Sequence, residues 1–340
     1  MSLRIPRAMA IACAAIILGA CSGSTPSVRE RNEHAGSLCT NQRFSVHASD
    51  TDSKTYEVAG ELCGKKRGAK TLLITSHGAT YNHLYWNWGV NPDAYSFVQN
   101  MKSNVDVLNI DRLGVGDSDH PLSTVTGSGA QANVIHQLVQ IMRGRGYEKI
   151  VLVGHSSGSG HIVREASKYH DVDGIIVTGF LHNFADGSIV RSIFYPAASD
   201  PLFAGLNLDP GYLTSKPGKK SNPAFYNLAV ADAAVLAFDE AHKDVVTGQD
   251  IQDFLEVIST PAISQAIRVP VLSLQAQYDG GFCGLPDCPQ AVLESTAWST
   301  DARLELHVIP VAGHDIHLHQ AGANVEYEYI HTWLAANFPE

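Results

Sequence analysis

A short β-rich run, Lys149-Ile150-Val151-Leu152-Val153, leads straight into Gly154-His155-Ser156-Ser157-Gly158, and helical spacing resumes with Ile162, Val163 and Ala166. Strand, tight turn and helix in that order leave few folds open. A serine at the apex of such a turn is forced into a strained backbone conformation. Cβ atoms at 154 and 158 would collide with the adjoining strand and helix, so both flanks are glycine. The strain lifts the Ser156 hydroxyl above the sheet. The helix start behind it offers unpaired N–H groups and a positive dipole end. The bland rival is a Gly/Ser-rich turn without chemistry. Nucleotide-loop readings fail, because Val163 stands where the last glycine of G-x-G-x-x-G belongs and no P-loop lysine follows.

The rest of the chain alternates in the same way. Short β-rich runs recur at 71–75, 105–110, 174–178, 269–274 and 304–309, with helical periodicity at 130–142 and 325–338. Two alternating runs, 43–49 and 55–62, predict an antiparallel hairpin at a sheet edge. Continuous apolar strands between helices predict an α/β fold with a mostly parallel sheet covered on both faces. With 340 residues, 44% of them hydrophobic, the chain can bury a core of that size. The alternation stops between 181 and 261. That stretch is turn-rich first and helical later, over 225–243 and 249–258. It reads as a largely helical lid inserted into a core of 42–180 and 262–340, with a small second domain as the rival. Net charge is −10 and the longest basic run is Lys65-Lys66-Arg67, so nucleic acid is not an expected partner.

The first twenty residues read as a signal peptide. Arg4 and Arg7 precede a 13-residue apolar run, too short to span a bilayer, which ends in Leu18-Gly19-Ala20-Cys21. That ending resembles the bacterial lipobox. It implies lipidation of Cys21, a flexible tether over 21–41, and an exported protein anchored to the cell-envelope membrane. An ordinary secretory signal is the alternative. Besides Cys13 in the leader and Cys21, four cysteines remain: Cys39, Cys63, Cys283 and Cys288. In an exported chain they suggest disulfides, and of three possible pairings proximity favours Cys39 with Cys63 and Cys283 with Cys288. No C-x-x-C pair supports zinc.

A serine hydroxyl needs a base, and the base an orienting carboxylate. His314 leaves the strand at 304–309, and Asp279 leaves the strand at 269–274. Serine, acid and histidine then follow in chain order. Asp186 is the main rival acid; Asp287 and Asp315 are weaker ones. The bridge between Cys283 and Cys288 would brace the loop that carries Asp279. The oxyanion donors fall to the N–H groups of Ser157 and Ala79, the latter in the loop Ser76-His77-Gly78-Ala79, where His77 serves as a brace.

Five features in order resemble the α/β-hydrolase superfamily: His77-Gly78, the turn Asp111-Arg112-Leu113-Gly114-Val115-Gly116-Asp117-Ser118, Gly154-His155-Ser156-Ser157-Gly158, Asp279, and Gly313-His314. The resemblance implies a serine hydrolase acting on a carboxylic ester, thioester, lactone or amide, with no cofactor and a structural role for the Asp111 turn. His77, Gly78, Tyr81, Tyr85, Trp86 and His155 are the candidate pocket residues. Aromatics beside the oxyanion loop suggest a small hydrophobic ester or lactone as partner, although packing under the lid would use them equally well. Two other classes compete. One is a lactonase or amidase acting on a natural product. The other is a non-catalytic ligand-binding lipoprotein. A metallohydrolase reading of His314, His317 and His319 lacks the i, i+4 spacing, and no metal is expected.

Overall fold

The computed structural model describes residues 39–64, 69–102, 105–188, 192–284 and 288–339. The expected leader, Cys21, most of the tether and Asp287 lie outside the described residues.

Eight strands form one sheet. In chain order they are β1 (Cys39–His47), β2 (Thr55–Cys63), β3 (Thr71–Ser76), β4 (Asp106–Ile110), β5 (Lys149–His155), β6 (Gly174–Thr178), then, after the insertion, β10 (Val271–Ala276) and β11 (Glu305–Ile309). The spatial order is β1-β2-β4-β3-β5-β6-β10-β11. From β4 to β11 every neighbour is parallel, while β2 pairs antiparallel with both β1 and β4. The hairpin expected at the edge is therefore present, with Cys39 opposite Cys63 in its register. β10 starts two residues later than its apolar run because Pro270 has no N–H to give the ladder.

Helices cover both faces. The apolar stripe of α1 (Ser128–Gly144) buries Val134, Ile135, Leu138, Val139 and Met142, and α2 (Ser157–Tyr169) packs beside it through Ile162 and Val163. On the opposite face α5 (Gln320–Asn337) buries Tyr327, Ile330 and Trp333 against Leu73, Val151 and Leu272. All six residues of β3 and of β10 are buried, as strands covered on two sides must be.

The insertion contains two longer helices, α3 (Ala233–His242) and α4 (Gly248–Ser259), and also a separate antiparallel sheet of β7 (Phe194–Pro196), β8 (Tyr212–Ser215) and β9 (Val245–Thr247). Strands of three and four residues are too short to show an alternation, which is why the sequence suggests helices alone there. Insertion and sheet fall within one compact unit, Ser37–Glu340. Among the described residues no helix is long and apolar enough to cross a membrane.

Cys39 is bonded to Cys63, and Cys283 to Cys288. The first bridge closes a separation of 24 residues and should contribute on the order of 3 kcal/mol by restricting the unfolded chain. A Cys39→Ser/Cys63→Ser double variant should therefore melt roughly 5–10 °C lower. Scanning calorimetry with and without reductant checks this, and an identical melting temperature would show that the bridge contributes nothing.

Candidate active site

Ser156 lies between β5 and α2 with φ 52° and ψ −121°, in the positive-φ region that serine rarely enters. Neighbouring chain holds it there. Its N–H donates to the Thr178 carbonyl at 2.9 Å, and its own carbonyl accepts from Ser159 N–H at 2.9 Å. The flanking glycines are required by contact: a Cβ at 158 would stand 2.1 Å from the Ser76 carbonyl oxygen, and one at 154 would stand 2.6 Å from Ser159 Cα. The turn thus packs directly on β3 and on the first turn of α2.

Asp279 and His314 come together in the loops that leave β10 and β11. His314 Nδ1–H donates to Asp279 Oδ2 at 2.6 Å, which leaves Nε2 as the acceptor. The other Asp279 oxygen accepts the N–H groups of Gly281 and Phe282 at 3.0 and 2.9 Å, and Gln275 donates to Oδ2 at 2.7 Å. Burial pushes the Asp279 carboxyl up, but His314 and these donors outweigh it, and the net direction is down. Burial pulls His314 down, while the charge and hydrogen bond of Asp279 outweigh it with help from Asp315, so His314 lies above its usual 6.5. The rival acids point elsewhere. Asp186 receives the N–H and hydroxyl of Ser188, and Asp315 receives His155 Nε2–H at 3.0 Å and the Tyr81 hydroxyl at 2.6 Å.

Ser156, Ser157, Ala79, Asp279 and His314 line one cavity of about 110 Å³. The insertion supplies Phe194, Phe225, Ile251, Phe254 and Leu255 to its wall, and the core supplies Phe184 and Phe282. The pocket residues named from sequence are placed differently. Tyr81, Tyr85, Trp86, His77 and His155 are fully buried and stand outside the cavity wall. The rings of Tyr81, Tyr85, Trp86 and His155 pack on one another beneath the site, Tyr85 stacking on His155 at 4.5 Å and Trp86 on His317 at 5.4 Å. Gly78 borders the site by its backbone, where a Cβ would stand 3.1 Å from Ser156 Cβ. A larger open depression beside Asp50, Asn133 and Lys168 contains none of Ser156, Asp279 and His314.

The sequence matches the family model described as alpha/beta hydrolase family over residues 72–326. The chain belongs to the alpha/beta hydrolase family. Among similar solved structures, an esterase from Thermogutta terrifontis has 17% identity and a TM-score of 0.59, over 87% of this chain and 98% of its own. A monoglyceride lipase from Saccharomyces cerevisiae has 15% identity and a TM-score of 0.61, over 88% and 95%. An epoxide hydrolase has 14% identity and a TM-score of 0.56, over 88% and 99%. A comparison with curated proteins finds no match. Identities this low speak for the shared fold alone.

In this alpha/beta hydrolase the insertion grips the loop at 77–81. On one side Asp250 of α4 accepts Arg112 Nη1 at 2.6 Å and lies 2.6 Å from His161 Nε2. Arg112 in turn donates through Nη2 to the Gly78 carbonyl at 3.1 Å and through its backbone N–H to His77 Nε2 at 3.3 Å. His77 is thus a brace, and burial with the adjacent Arg112 keeps it well below its usual pKa and neutral. On the other side Lys220, fully buried, donates to Thr80 Oγ1 at 3.3 Å, pairs with Asp239 at 3.2 Å and lies 3.2 Å above the Tyr81 ring. Asp239 accepts the hydroxyls of Tyr226 at 2.7 Å and Tyr81 at 3.3 Å, and Tyr81 passes the chain on to Asp315 and His155. Thr80 has φ 62°, a strained value for a β-branched residue, and its carbonyl accepts Asp244 N–H at 2.9 Å. Sequence reading missed Lys220, Asp239 and Asp250, since a lysine in a turn-rich segment and single aspartates on helices look like solvated surface.

This network carries charge to His314. Asp315 raises its pKa and Lys220 lowers it. Lys220→Met should therefore move the His314 titration to higher pH and Asp315→Asn to lower pH. Imidazole NMR titration of His314 in the three proteins checks the signs; a curve unmoved in both variants would disconnect the network from the site.

Proposed function

We propose that the protein is a serine hydrolase that cleaves small hydrophobic carboxylic esters through an acyl-enzyme intermediate. The observation that carries the reading is the His314–Asp279 pair opening onto the same apolar cavity as Ser156. Ser156 Oγ attacks the ester carbonyl while His314 Nε2 takes its proton. The N–H groups of Ala79 and Ser157 receive the oxyanion, and Asp279 holds the imidazole in the tautomer that accepts at Nε2. The alcohol leaves with the proton from His314. Water, activated by the same nitrogen, then frees the acid. The family match and ester-hydrolysing structural relatives support this choice of chemistry.

The cavity bears on the acyl group. Its volume of about 110 Å³ is well below the roughly 300–1,000 Å³ of a drug-sized site, and its wall is largely phenylalanine and aliphatic. Short, apolar acyl chains fit that space. The leader sequence supports an exported, lipid-anchored location, which labelling of Cys21 by a radioactive fatty acid would test.

With p-nitrophenyl esters, turnover should be highest between acetate and butyrate and fall by octanoate. Ser156→Ala should lower kcat by about 10³-fold or more. Equal activity in the variant would remove the nucleophile assignment. The proton count sets the pH profile. His314 works as a base only when neutral and titrates above 6.5, so kcat/KM should rise with pH through a midpoint above 6.5. A profile already flat at pH 6 would contradict His314 as the base.

A further inference from the structure

The serine turn accounts for the glycines at 154 and 158 but not for the one at 160. Gly160 lies inside α2, where glycine weakens a helix relative to alanine. Contact with the insertion explains it. A Cβ at 160 would stand 2.7 Å from Cδ2 and 3.3 Å from Cε2 of Phe254, so that ring rests directly on the backbone of α2. Phe254 belongs to α4 and is buried, while Leu255 beside it is exposed, and both line the cavity that holds Ser156. Leu255 thus stands at the rim of the cavity and Phe254 at its closed side.

α4 is pinned where it crosses α2. Asp250, one turn before Phe254, lies 2.6 Å from His161 Nε2, and Glu256, two residues after it, pairs with Arg164 at 2.7 Å. The helix therefore cannot back away if the seat at 160 is filled, and the ring must turn into the cavity. The other phenylalanines of the wall are tied to the catalytic loops. Phe282 N–H donates to Asp279 at 2.9 Å, and its ring stacks with Phe184 at 4.5 Å. The Phe225 carbonyl accepts Asp315 N–H at 3.0 Å. Phe254 reaches the site through its ring, and its backbone belongs to α4.

On the acyl-enzyme reading above, we propose that Phe254 sets the length of acyl chain the enzyme accepts, and that Gly160 sets how far its ring withdraws. The acyl chain of the ester ends against this ring. With glycine at 160 the ring seats on α2 and leaves room for chains from acetate to butyrate. Longer chains are turned away by one side chain, not by the cavity as a whole.

The test uses p-nitrophenyl esters from acetate to octanoate on the wild type, Phe254→Ala, Gly160→Ala and the double variant. Phe254→Ala should raise the octanoate-to-butyrate ratio of kcat/KM at least roughly tenfold, since each methylene that gains cover is worth about fourfold. Gly160→Ala should lower the butyrate-to-acetate ratio by about fourfold, the worth of one methylene of lost space. In the Phe254→Ala background Gly160→Ala should leave the ratios unchanged, because the ring it displaces is gone. An unchanged octanoate-to-butyrate ratio in Phe254→Ala would overturn the proposal, as would equal effects of Gly160→Ala in both backgrounds. A change confined to the alcohol series, read with alkyl acetates, would place the alcohol against Phe254 and overturn it too. If Phe254→Ala does not fold, Phe254→Leu takes its place with the same direction expected. NMR titration of ethyl esters into Ser156→Ala protein, with and without Phe254→Ala, reads the same preference as a ratio of Kd values without turnover. A wild type that hydrolyses none of the esters would end the ester-hydrolase reading, whereas these titrations still decide whether Phe254 limits the chain.

Discussion

The site depends on one backbone conformation, the positive φ of Ser156. A serine pays for that geometry in strain, and the surroundings must fix it from several directions. β6 supplies a carbonyl to its N–H, α2 supplies an N–H to its carbonyl, and β3 comes so close that only glycine fits at 158. β5 can present the serine in this way because it lies at the centre of the sheet, with β3 on one side and β6 on the other. The edge hairpin, the crossover helices and the two apolar layers serve to keep those three strands in register.

A second constraint is electrostatic. Arg112, Asp250, Lys220 and Asp239 are all buried, and such pairs seldom add net stability over apolar packing. Removing one partner, in contrast, strands the other and costs about 3–5 kcal/mol. Buried pairs of this kind fix positions more than they strengthen folds. Here they fix the loop that carries Ala79 from both ends: Asp250 reaches it from the insertion through Arg112, and the Lys220–Asp239 pair, both members from the insertion, reaches it through Thr80 and Tyr81. The insertion is therefore built into the loop beside Ser156. Lifting it would take Lys220 away from Thr80 and Asp250 away from Arg112, which would leave the Arg112 guanidinium without its carboxylate.

Much of this was legible in the chain itself. Strand, turn and helix around Ser156 follow from residue spacing, and the places of Asp279 and His314 follow from the strands they leave. The aromatic stretch after Gly78 misled, because an aromatic ring under a site and one lining it leave the same mark in sequence. Burial of Tyr85 and Trp86 is set by the histidines and helix stacked on them, which are more than two hundred residues away in some cases. The cavity wall is drawn instead from Phe184, Phe194, Phe225, Phe254 and Phe282, scattered over about a hundred positions with no shared periodicity. The small insertion sheet and the Lys220 network are hidden for the same reason: both arise from contacts between distant segments.

The bond between Cys39 and Cys63 has a mechanical meaning as well. Cys39 is the first residue of the edge strand, and tension applied through the N-terminal segment reaches the sheet there. Hydrogen bonds in a two-stranded edge would open one after another under such a pull, like a zipper. The disulfide blocks that route by passing the load across to the end of β2, whose residues 60–63 are paired with β4 in the body of the sheet. The fold can thus be held by its N-terminal end without the held strand peeling away.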